Sequence, residues 1–176
     1  GGVGLIAGQW AKSLGATVIG TAGSPEKAAL ALANGYDHVI NYRTENFAER
    51  VREITDGRMC DVVYDSVGKD TFPASLDCIR PLGMFVSFGQ SSGLVPPFNL
   101  GLLAQKGSLF VTRPVLHAYI AKRSDLEATA EELFGVIGSG TVNIKIHKAY
   151  RFDDVAQAHR DLEGRQTTGA SILVTG

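Results

Sequence analysis

The sequence is poor in cysteine, and its two cysteines do not form a recognisable motif. Cys60 and Cys78 are the only ones among 176 residues, and neither lies in a Cys-x-x-Cys pattern. Paired patterns of that kind are typical of zinc lobes, and dense cysteine is typical of disulfide frameworks, so we expect neither a metal site nor disulfides. The simplest interpretation is a reducing intracellular compartment, and we expect a cytoplasmic protein.

The sequence also lacks a surplus of charge and any long hydrophobic run. Seventeen basic residues are balanced by eighteen acidic ones, which leaves a formal net charge of −1. Such a balance gives no electrostatic reason to expect nucleic acid or an anionic membrane as a partner. The apolar stretches are too short to cross a bilayer. No secretory signal is visible in the sequence, and a targeting segment that preceded residue 1 would not be part of it.

Short apolar runs alternate with amphipathic stretches along most of the chain, which predicts an α/β fold. Continuous apolar strands are typical of a parallel sheet with helices on both faces, so we expect a doubly wound, Rossmann-type sheet. The predicted strands are 16–22, 38–41, 60–68, 84–89, 108–112, 143–150 and 170–175. The predicted helices are 3–14, 25–32, 45–55, 70–79, 100–105, 125–137 and 152–164. We assign residues 1–140 to a dinucleotide-binding domain and 141–176 to a return segment.

The chain opens on a glycine turn, Gly-Gly-Val-Gly, that leads directly into a predicted helix. In doubly wound folds this turn follows the first strand, and that strand is lacking here. Glycines let the backbone approach a pyrophosphate, which the free N–H groups of the helix start attract. Gly1, Gly2 and Gly4 suit this role, and we expect Val3 to point into the core. Apolar residues from Val3 to Leu14 then form one helical stripe, on which we expect Trp10 to be a core residue.

The end of the next strand indicates which dinucleotide binds. An acidic residue about 20 positions after the glycines commonly holds the free ribose of NAD, but Thr21 and Ala22 stand there. Groups that suit a 2′-phosphate follow this strand and the next one: Ser24, Lys27, Tyr42 and Arg43. Glu26 is the discordant charge, although it lies where a helix dipole favours it. The alternative is an ordinary N-cap followed by a solvated lysine.

Several segments together resemble one family over nearly the whole chain. GGVGLIAGQWAKSLGATVIGT, INYR, VVYDSVGKDTF, GMFVSFGQSSG and LFVTRP occur in the order found in the cofactor domain of zeta-crystallin-like NADPH:quinone oxidoreductases. These enzymes belong to the medium-chain dehydrogenase/reductase superfamily. The resemblance implies that NADPH is the cofactor.

The resemblance also implies roles for individual residues. Gly1, Gly2, Val3 and Gly4 would bind pyrophosphate, and Lys27 and Tyr42, joined by Ser24, would bind the 2′-phosphate. The other implied cofactor residues are Ser66 with Val67 near the adenine, Phe88, Gly89 and Ser91 near the ribose and nicotinamide, Phe110 and Val111 near the nicotinamide, and Arg165, which reaches back to the cofactor.

The implied reaction is hydride transfer from NADPH to a quinone or another conjugated carbonyl such as an enone. Because quinones accept hydride readily, the reaction requires no catalytic side chain or metal from this chain. We expect the four scattered histidines to be structural or solvated, both cysteines to be core thiols, and Asp65 to be a hydrogen-bonding loop residue. Full family members carry a catalytic domain before this segment, toward which the return segment runs. The chain therefore resembles a fragment that is inactive alone.

Three alternatives stay open. An enoyl reductase or a zinc-type alcohol dehydrogenase of the same superfamily would use the same domain. An NADPH-binding structural or RNA-binding module would use it without turnover. Short-chain dehydrogenases are disfavoured, because no tyrosine here is followed by a lysine four positions later.

Two expectations concern strand pairing. Residues 108–112 form a short, apolar and uncharged strand late in the sheet order, and the family pairs two sheets there, so we expect a homodimer through this edge. The vacant position of the first strand would leave buried backbone groups unpaired. We therefore hypothesise that residues 171–175 fill it, between the strands that contain Val18 and Val63.

Overall fold

A computed structural model describes residues 1–164 and 166–175 of the chain. Its helices are α1 (Gly2–Ser13), α2 (Pro25–Leu32), α3 (Phe47–Ile54), α4 (Gly101–Gln105), α5 (Leu116–Tyr119), α6 (Arg123–Gly138) and α7 (Val155–Glu163). Its strands are β1 (Ile19–Ala22), β2 (His38–Asn41), β3 (Cys60–Asp65), β4 (Ile79–Ser87), β5 (Phe110–Thr112), β6 (Ile146–Arg151) and β7 (Ala170–Val174). Short 3₁₀ turns cover Ala74–Cys78 and Phe152–Asp154.

All strand pairs in the described residues are parallel, which confirms the α/β prediction. The ladders join β1 to β2, β3 to β4 to β5, and β6 to β7. Val63 lies opposite Phe85, and Phe85 lies opposite Val111, so β4 is the central strand of its sheet and β5 lies at an edge. Parallel strands all end at the same side of a sheet, which brings the loops after β3, β4 and β5 together.

The chain divides into two compact units. The first comprises residues 1–43 and 130–176, and the second comprises 44–129. In the first unit Leu5, Ile40 and Val142 are buried. In the second, Phe72, Leu76 and Phe85 lie at the centre of a core cluster. The Phe72 ring lies 5.9 Å from that of Phe85 and 4.9 Å from that of Phe98, distances at which aromatic pairs attract one another.

The strands differ from the prediction in how fully they are buried. Along β3, Val63 packs on the core cluster, whereas Val62 is 40% and Tyr64 72% exposed. Successive side chains of a strand point to opposite faces, and only one face of β3 is packed within its unit. In β4, by contrast, the successive residues Phe85 and Val86 are both buried, so both faces of the sheet are covered at this strand.

The predicted helix over residues 70–79 is wrong. The chain forms turns there and then the 3₁₀ segment Ala74–Cys78, and β4 already begins at Ile79. Pro73 lies in the middle of the predicted helix and has no N–H to donate to the preceding turn, which breaks a regular helix. The prediction also missed the four-residue helix α5.

The hypothesis that residues 171–175 fill a vacant strand position is wrong. Within the described residues the ladder of β7 is with β6, where Ile172 lies opposite Ala149 and Val174 opposite Arg151. Helix α7 connects these two strands, so they form a compact βαβ unit. Pairing with a strand so near along the chain costs less loop entropy than reaching a distant one.

The apolar stripe predicted on α1 does not form its buried face. Val3 is 66% exposed instead of pointing into the core, and Trp10 is only half-buried. The buried residues of α1 are Leu5 and Gly8. The apolar spacing correctly predicted a helix, but it gave no weight to Gly8, whose missing side chain lets other groups approach the helix closely.

Candidate cofactor-binding site

The glycine turn forms the start of α1. Gly1 is the N-cap, and residues 2–4 form the first turn, so their N–H groups have no partner within the helix. A helix start with free N–H groups and the positive end of the helix dipole is able to hold a phosphate.

Tyr36, which the sequence analysis missed, supports this turn. Its hydroxyl donates a hydrogen bond of 2.7 Å to the carbonyl of Gly4. Burial raises the pKa of Tyr36, so the phenol stays protonated and remains a donor at neutral pH. The Asn-Gly that precedes Tyr36 predicted only the end of a helix. Tyr36 itself lies outside the predicted helices and strands, so no hydrophobic pattern indicated a role for it.

The residues predicted to hold a 2′-phosphate lie together at the carboxyl ends of β1 and β2. Ser24 caps α2, where its Oγ accepts a hydrogen bond of 3.3 Å from the N–H of Lys27. The Tyr42 N–H donates to the carbonyl of Ala22 at 3.2 Å. This bond extends the hydrogen bonding between β1 and β2 by one residue past the end of β2. A Cβ added at Gly23 would overlap the Tyr42 hydroxyl and lie 3.4 Å from Nε of Arg43. This region therefore brings the Tyr42 phenol and the Arg43 guanidinium together beside Gly23, and the adjacent Ser24 hydroxyl lies at the N–H of Lys27.

One electrostatic effect involves this cluster. A hydrogen bond from Ser24 is the largest cause that lowers the pKa of the Glu26 carboxyl, so the Ser24 hydroxyl donates to Glu26. A phosphate that bound here would take over that hydroxyl.

The segment after α7 returns to the glycine turn. A Cβ added at Gly2 would lie 3.5 Å from the N of Ala170, at the start of β7. Between α7 and β7, Thr168 Oγ1 lies 3.0 Å from Nδ1 of His147, and the Ala170 N–H donates to the carbonyl of Lys145 at 2.9 Å. Arg165, predicted to reach the cofactor, lies outside the described residues.

In the second unit, a buried carboxylate organises the loop after β3. Asp65 accepts hydrogen bonds from the N–H of Val67 at 2.7 Å and that of Gly68 at 3.0 Å, and from Oγ of Ser75 at 2.7 Å. Asp65 is 5% exposed, and these hydrogen bonds come from the turn after β3 and from the 3₁₀ segment that carries Ser75. The predicted hydrogen-bonding role of Asp65 is therefore correct, but the residue is the last of β3 and does not lie in a loop.

The loops after β3 and β4 are joined by backbone contacts. The Ser91 N–H donates to the carbonyl of Ser66 at 3.1 Å, and the Phe88 N–H donates to that of Asp65 at 2.9 Å. A Cβ added at Gly89 would lie 2.6 Å from the carbonyl oxygen of Ser66, so only glycine allows this approach. The structure therefore brings Ser66, Phe88, Gly89 and Ser91 together at one edge of the sheet.

Beside these loops, the second unit has an apolar groove of about 510 Å³. Phe85 and Phe98 form part of its lining, and Gly89, Gln90 and Val111 border it. Arg113 lies at the groove and donates from Nη1 to the carbonyl of Ser87 at 3.0 Å. Of the residues predicted near the ribose and nicotinamide, Gly89 and Val111 line the groove, whereas Phe88, Ser91 and Phe110 do not. The sequence analysis missed Gln90 and Arg113, although both follow the carboxyl end of a strand.

The comparisons with known proteins identify the family. The family model described as zinc-binding dehydrogenase matches residues 2–134. The chain belongs to the zinc-binding dehydrogenase family.

Several relatives in this family share about half of their aligned residues with this chain. The chain is 53% identical over 174 residues to a quinone oxidoreductase of Pseudomonas aeruginosa, covering 99% of this chain and 54% of that protein. It is 46% identical over 175 residues to a 2-haloacrylate reductase of a Burkholderia species, covering 99% and 53%. The crystal structure of Escherichia coli quinone oxidoreductase complexed with NADPH superposes with a TM-score of 0.95 at 52% identity, covering 99% of this chain and 54% of that one.

These relatives confirm the predicted Rossmann-type fold and the resemblance to quinone oxidoreductases. The chain spans about half the length of the curated relatives it matches.

The family's name raises the question of zinc, and the donors of this chain do not fit it. No group of three or more His, Cys, Asp or Glu side chains comes together in residues 1–164 and 166–175. Burial raises the pKa of the Cys78 thiol to about 12 and also raises that of Cys60, which disfavours the thiolate form that zinc requires. As predicted, Cys78 is a buried core thiol, while Cys60 is half-buried.

None of the helices described is long and apolar enough to cross a bilayer.

Proposed function

We propose that this chain is the NADPH-binding part of a quinone reductase that acts on quinones or other conjugated carbonyls. The observation that carries the proposal is that Ser24, Lys27, Tyr42 and Arg43 all follow the carboxyl ends of β1 and β2, where Thr21 and Ala22 stand in place of an acidic residue. The 52% identity to a quinone oxidoreductase complexed with NADPH supports it.

Each unit carries its own set of proposed cofactor contacts. In the first unit, Gly1, Gly2, Val3 and Gly4 bind pyrophosphate through backbone N–H groups, and Ser24, Lys27 and Tyr42 bind the 2′-phosphate. In the second, the remaining proposed contacts are Ser66, Phe88, Gly89, Ser91, Phe110 and Val111, and Arg165 completes the set. The boundary between a dinucleotide-binding domain and a return segment near residue 140 stays a proposal as well.

When bound, the cofactor would supply one hydride, which together with one proton from solvent reduces a quinone to its quinol in a single two-electron step. This chain's residues bind and orient the cofactor and keep water from the reacting carbons. The groove bordered by Gly89 and Val111 suits this task because Phe85 and Phe98 give it apolar walls. No side chain of this chain is assigned as a proton donor.

A second candidate substrate class has one specific observation in its favour. The 46% identity to a 2-haloacrylate reductase favours a conjugated carbon–carbon double bond as the hydride acceptor. The enoyl reductase alternative is of this kind. A zinc-type alcohol dehydrogenase receives no support from the donors of this chain.

We also propose a homodimer that forms through β5. Among the described residues this strand pairs with β4 alone, and Phe110 and Val111 are exposed on it. An open edge with apolar side chains is a template for a strand from a second copy. The small net charge favours a small-molecule substrate over nucleic acid, and two unpaired cysteines favour the cytoplasm.

The test is calorimetric titration of this chain with NADPH and with NADH, followed by a quinone reduction assay beside the full-length E. coli enzyme. We expect NADPH to bind at least tenfold more tightly than NADH. Equal affinities would refute the 2′-phosphate site, and binding of neither nucleotide would refute the function. Tight NADPH binding by a full-length parent that has no reductase activity would instead support a structural or RNA-binding module.

A further inference from the structure

The ring of Tyr36 lies between helix α1 and strand β1. A Cβ added at Gly8 of α1 would overlap one edge of the ring, and a Cβ added at Gly20 of β1 would lie 2.5 Å from Cε1 at the other edge. Both neighbours are glycines, and any larger residue at either position would displace the ring. The tyrosine therefore sets the separation between the helix and the strand.

The hydroxyl at the end of this ring reaches the glycine turn. It donates to the carbonyl of Gly4, which lies in the first turn of α1. Further contacts hold the same segment against the helix: an ion pair joins Lys12 to Asp37, and a Cβ added at Gly35 would lie 3.0 Å from the Cα of Gln9. The segment that carries Tyr36 is thus held along α1, and its hydroxyl is the contact nearest to the phosphate-binding end.

Two anion-binding features of the first unit depend on this geometry. The free N–H groups lie at the start of α1, and the Ser24–Lys27–Tyr42 cluster follows β1 and β2. A rotation of α1 against β1 would change the separation of the two features, whereas a dinucleotide holds its pyrophosphate and 2′-phosphate at a limited range of distances. Binding both groups at once therefore requires the helix to be fixed on the strand.

We propose that Tyr36 is a positioning residue that holds the pyrophosphate-binding turn in register with the 2′-phosphate cluster. This inference rests on the proposed NADPH-binding function. Tyr36 acts without contacting the cofactor, through its hydrogen bond to the Gly4 carbonyl and through the placement of α1.

The experiment compares Tyr36→Phe with Tyr42→Phe, each of which removes one hydroxyl and keeps its ring. The probes are NADPH, NADH and adenosine 2′-monophosphate, titrated by calorimetry into the purified chain. NADH carries the pyrophosphate without the 2′-phosphate, and adenosine 2′-monophosphate carries the 2′-phosphate without the pyrophosphate. The two parts of the site are thereby measured separately.

We expect Tyr36→Phe to weaken NADPH and NADH by about 2- to 10-fold, the range of one neutral hydrogen bond, and to leave adenosine 2′-monophosphate unchanged. Tyr42→Phe should show the opposite pattern, with losses for NADPH and adenosine 2′-monophosphate and none for NADH. Without any nucleotide, amide hydrogen exchange at residues 5–8, whose N–H groups are the first to bond within α1, should be faster in Tyr36→Phe than in the wild type.

Three results would overturn the inference. Unchanged NADPH and NADH affinity in Tyr36→Phe would show that the hydroxyl positions nothing. An equal loss for all three probes would show a general structural role instead. Unchanged amide exchange at residues 5–8 would show that the hydroxyl does not hold the turn. A wild type that binds no NADPH would refute the proposed function. The amide exchange result would still test separately whether the Tyr36 hydroxyl holds the turn.

Discussion

Substitution of Lys27 by alanine tests the cofactor preference most directly. Lys27 lies in the first turn of α2, half-buried, beside the N-cap Ser24 and near the carboxyl ends of β1 and β2. Its side chain would lose a charge-assisted hydrogen bond to the 2′-phosphate. Because its N–H, not its side chain, caps α2 through Ser24, the substitution leaves the helix start intact.

The magnitude follows from the degree of burial. A hydrogen bond to a charged group contributes roughly 1–3 kcal/mol, and solvent around a half-buried lysine keeps the value below that of a fully buried pair. At about 1.4 kcal/mol per factor of ten, Lys27→Ala should weaken NADPH by roughly 5- to 150-fold. NADH has no 2′-phosphate, and its affinity should stay within about twofold of the wild type.

Two further variants serve as controls in the same calorimetric titration. Lys12→Ala changes the net charge equally but lies at the far end of α1, where it pairs with Asp37, so the NADPH to NADH ratio should not change. Glu26→Gln removes the anion that accepts from Ser24, so NADPH should bind more tightly. Equal losses for both nucleotides in Lys27→Ala would refute the 2′-phosphate assignment, as would a Lys12→Ala variant that behaved identically.

Three other outcomes follow from the structure. Val111→Pro removes a backbone donor from the edge strand β5 and should yield monomers by light scattering, whereas Val111→Ala should stay dimeric; dimers in both would exclude this edge. Asp65→Ala leaves the Val67 and Gly68 N–H groups unpaired and should lower the free energy of unfolding by roughly 2–4 kcal/mol, while Asp65→Asn keeps an acceptor and should cost about 1 kcal/mol; equal urea midpoints for the two would contradict this. Hydrogen bonds from Lys12 and from the Val18 N–H hold the pKa of Asp37 below its usual range, so its contribution to stability is complete above about pH 4 and is lost as the pH falls through the lowered pKa. The fall in the urea midpoint from pH 6 to pH 3 should therefore be smaller in Asp37→Asn than in the wild type. An equal fall in the two proteins would show that Asp37 contributes nothing to this pH dependence.

The local elements were largely predictable because their signals are short-range. Ser24 followed by Pro25 predicted the start of α2, and its N-cap hydrogen bond is present. The run His38–Asn41 coincides with β2, and the run that begins at Cys60 contains β3. Capping, proline placement and β-branched runs act within a few residues, so the sequence alone determines these features.

The strand partners and the buried faces required the tertiary structure. Residues 170–175 read as an apolar strand, but their composition did not say whether β6 or a vacant position would pair with them. On α1, hydropathy favoured the face of Val3 and Trp10, whereas the packed face is that of Leu5 and Gly8. Side-chain hydropathy measures a preference for burial and does not specify the partner, so register and face are decided by what else packs nearby.

The candidate site divides in the same way. The sequence predicted the glycine turn and the Ser24, Lys27 and Tyr42 group, since residue type and position after a strand carry that chemistry. Tyr36 and Arg113 became visible only in the structure. Each acts through a backbone carbonyl, of Gly4 and Ser87, which lies 32 and 26 positions away along the chain. Every residue has a carbonyl, so the sequence contains no mark of which one is used, and only the fold brings donor and acceptor within hydrogen-bonding distance.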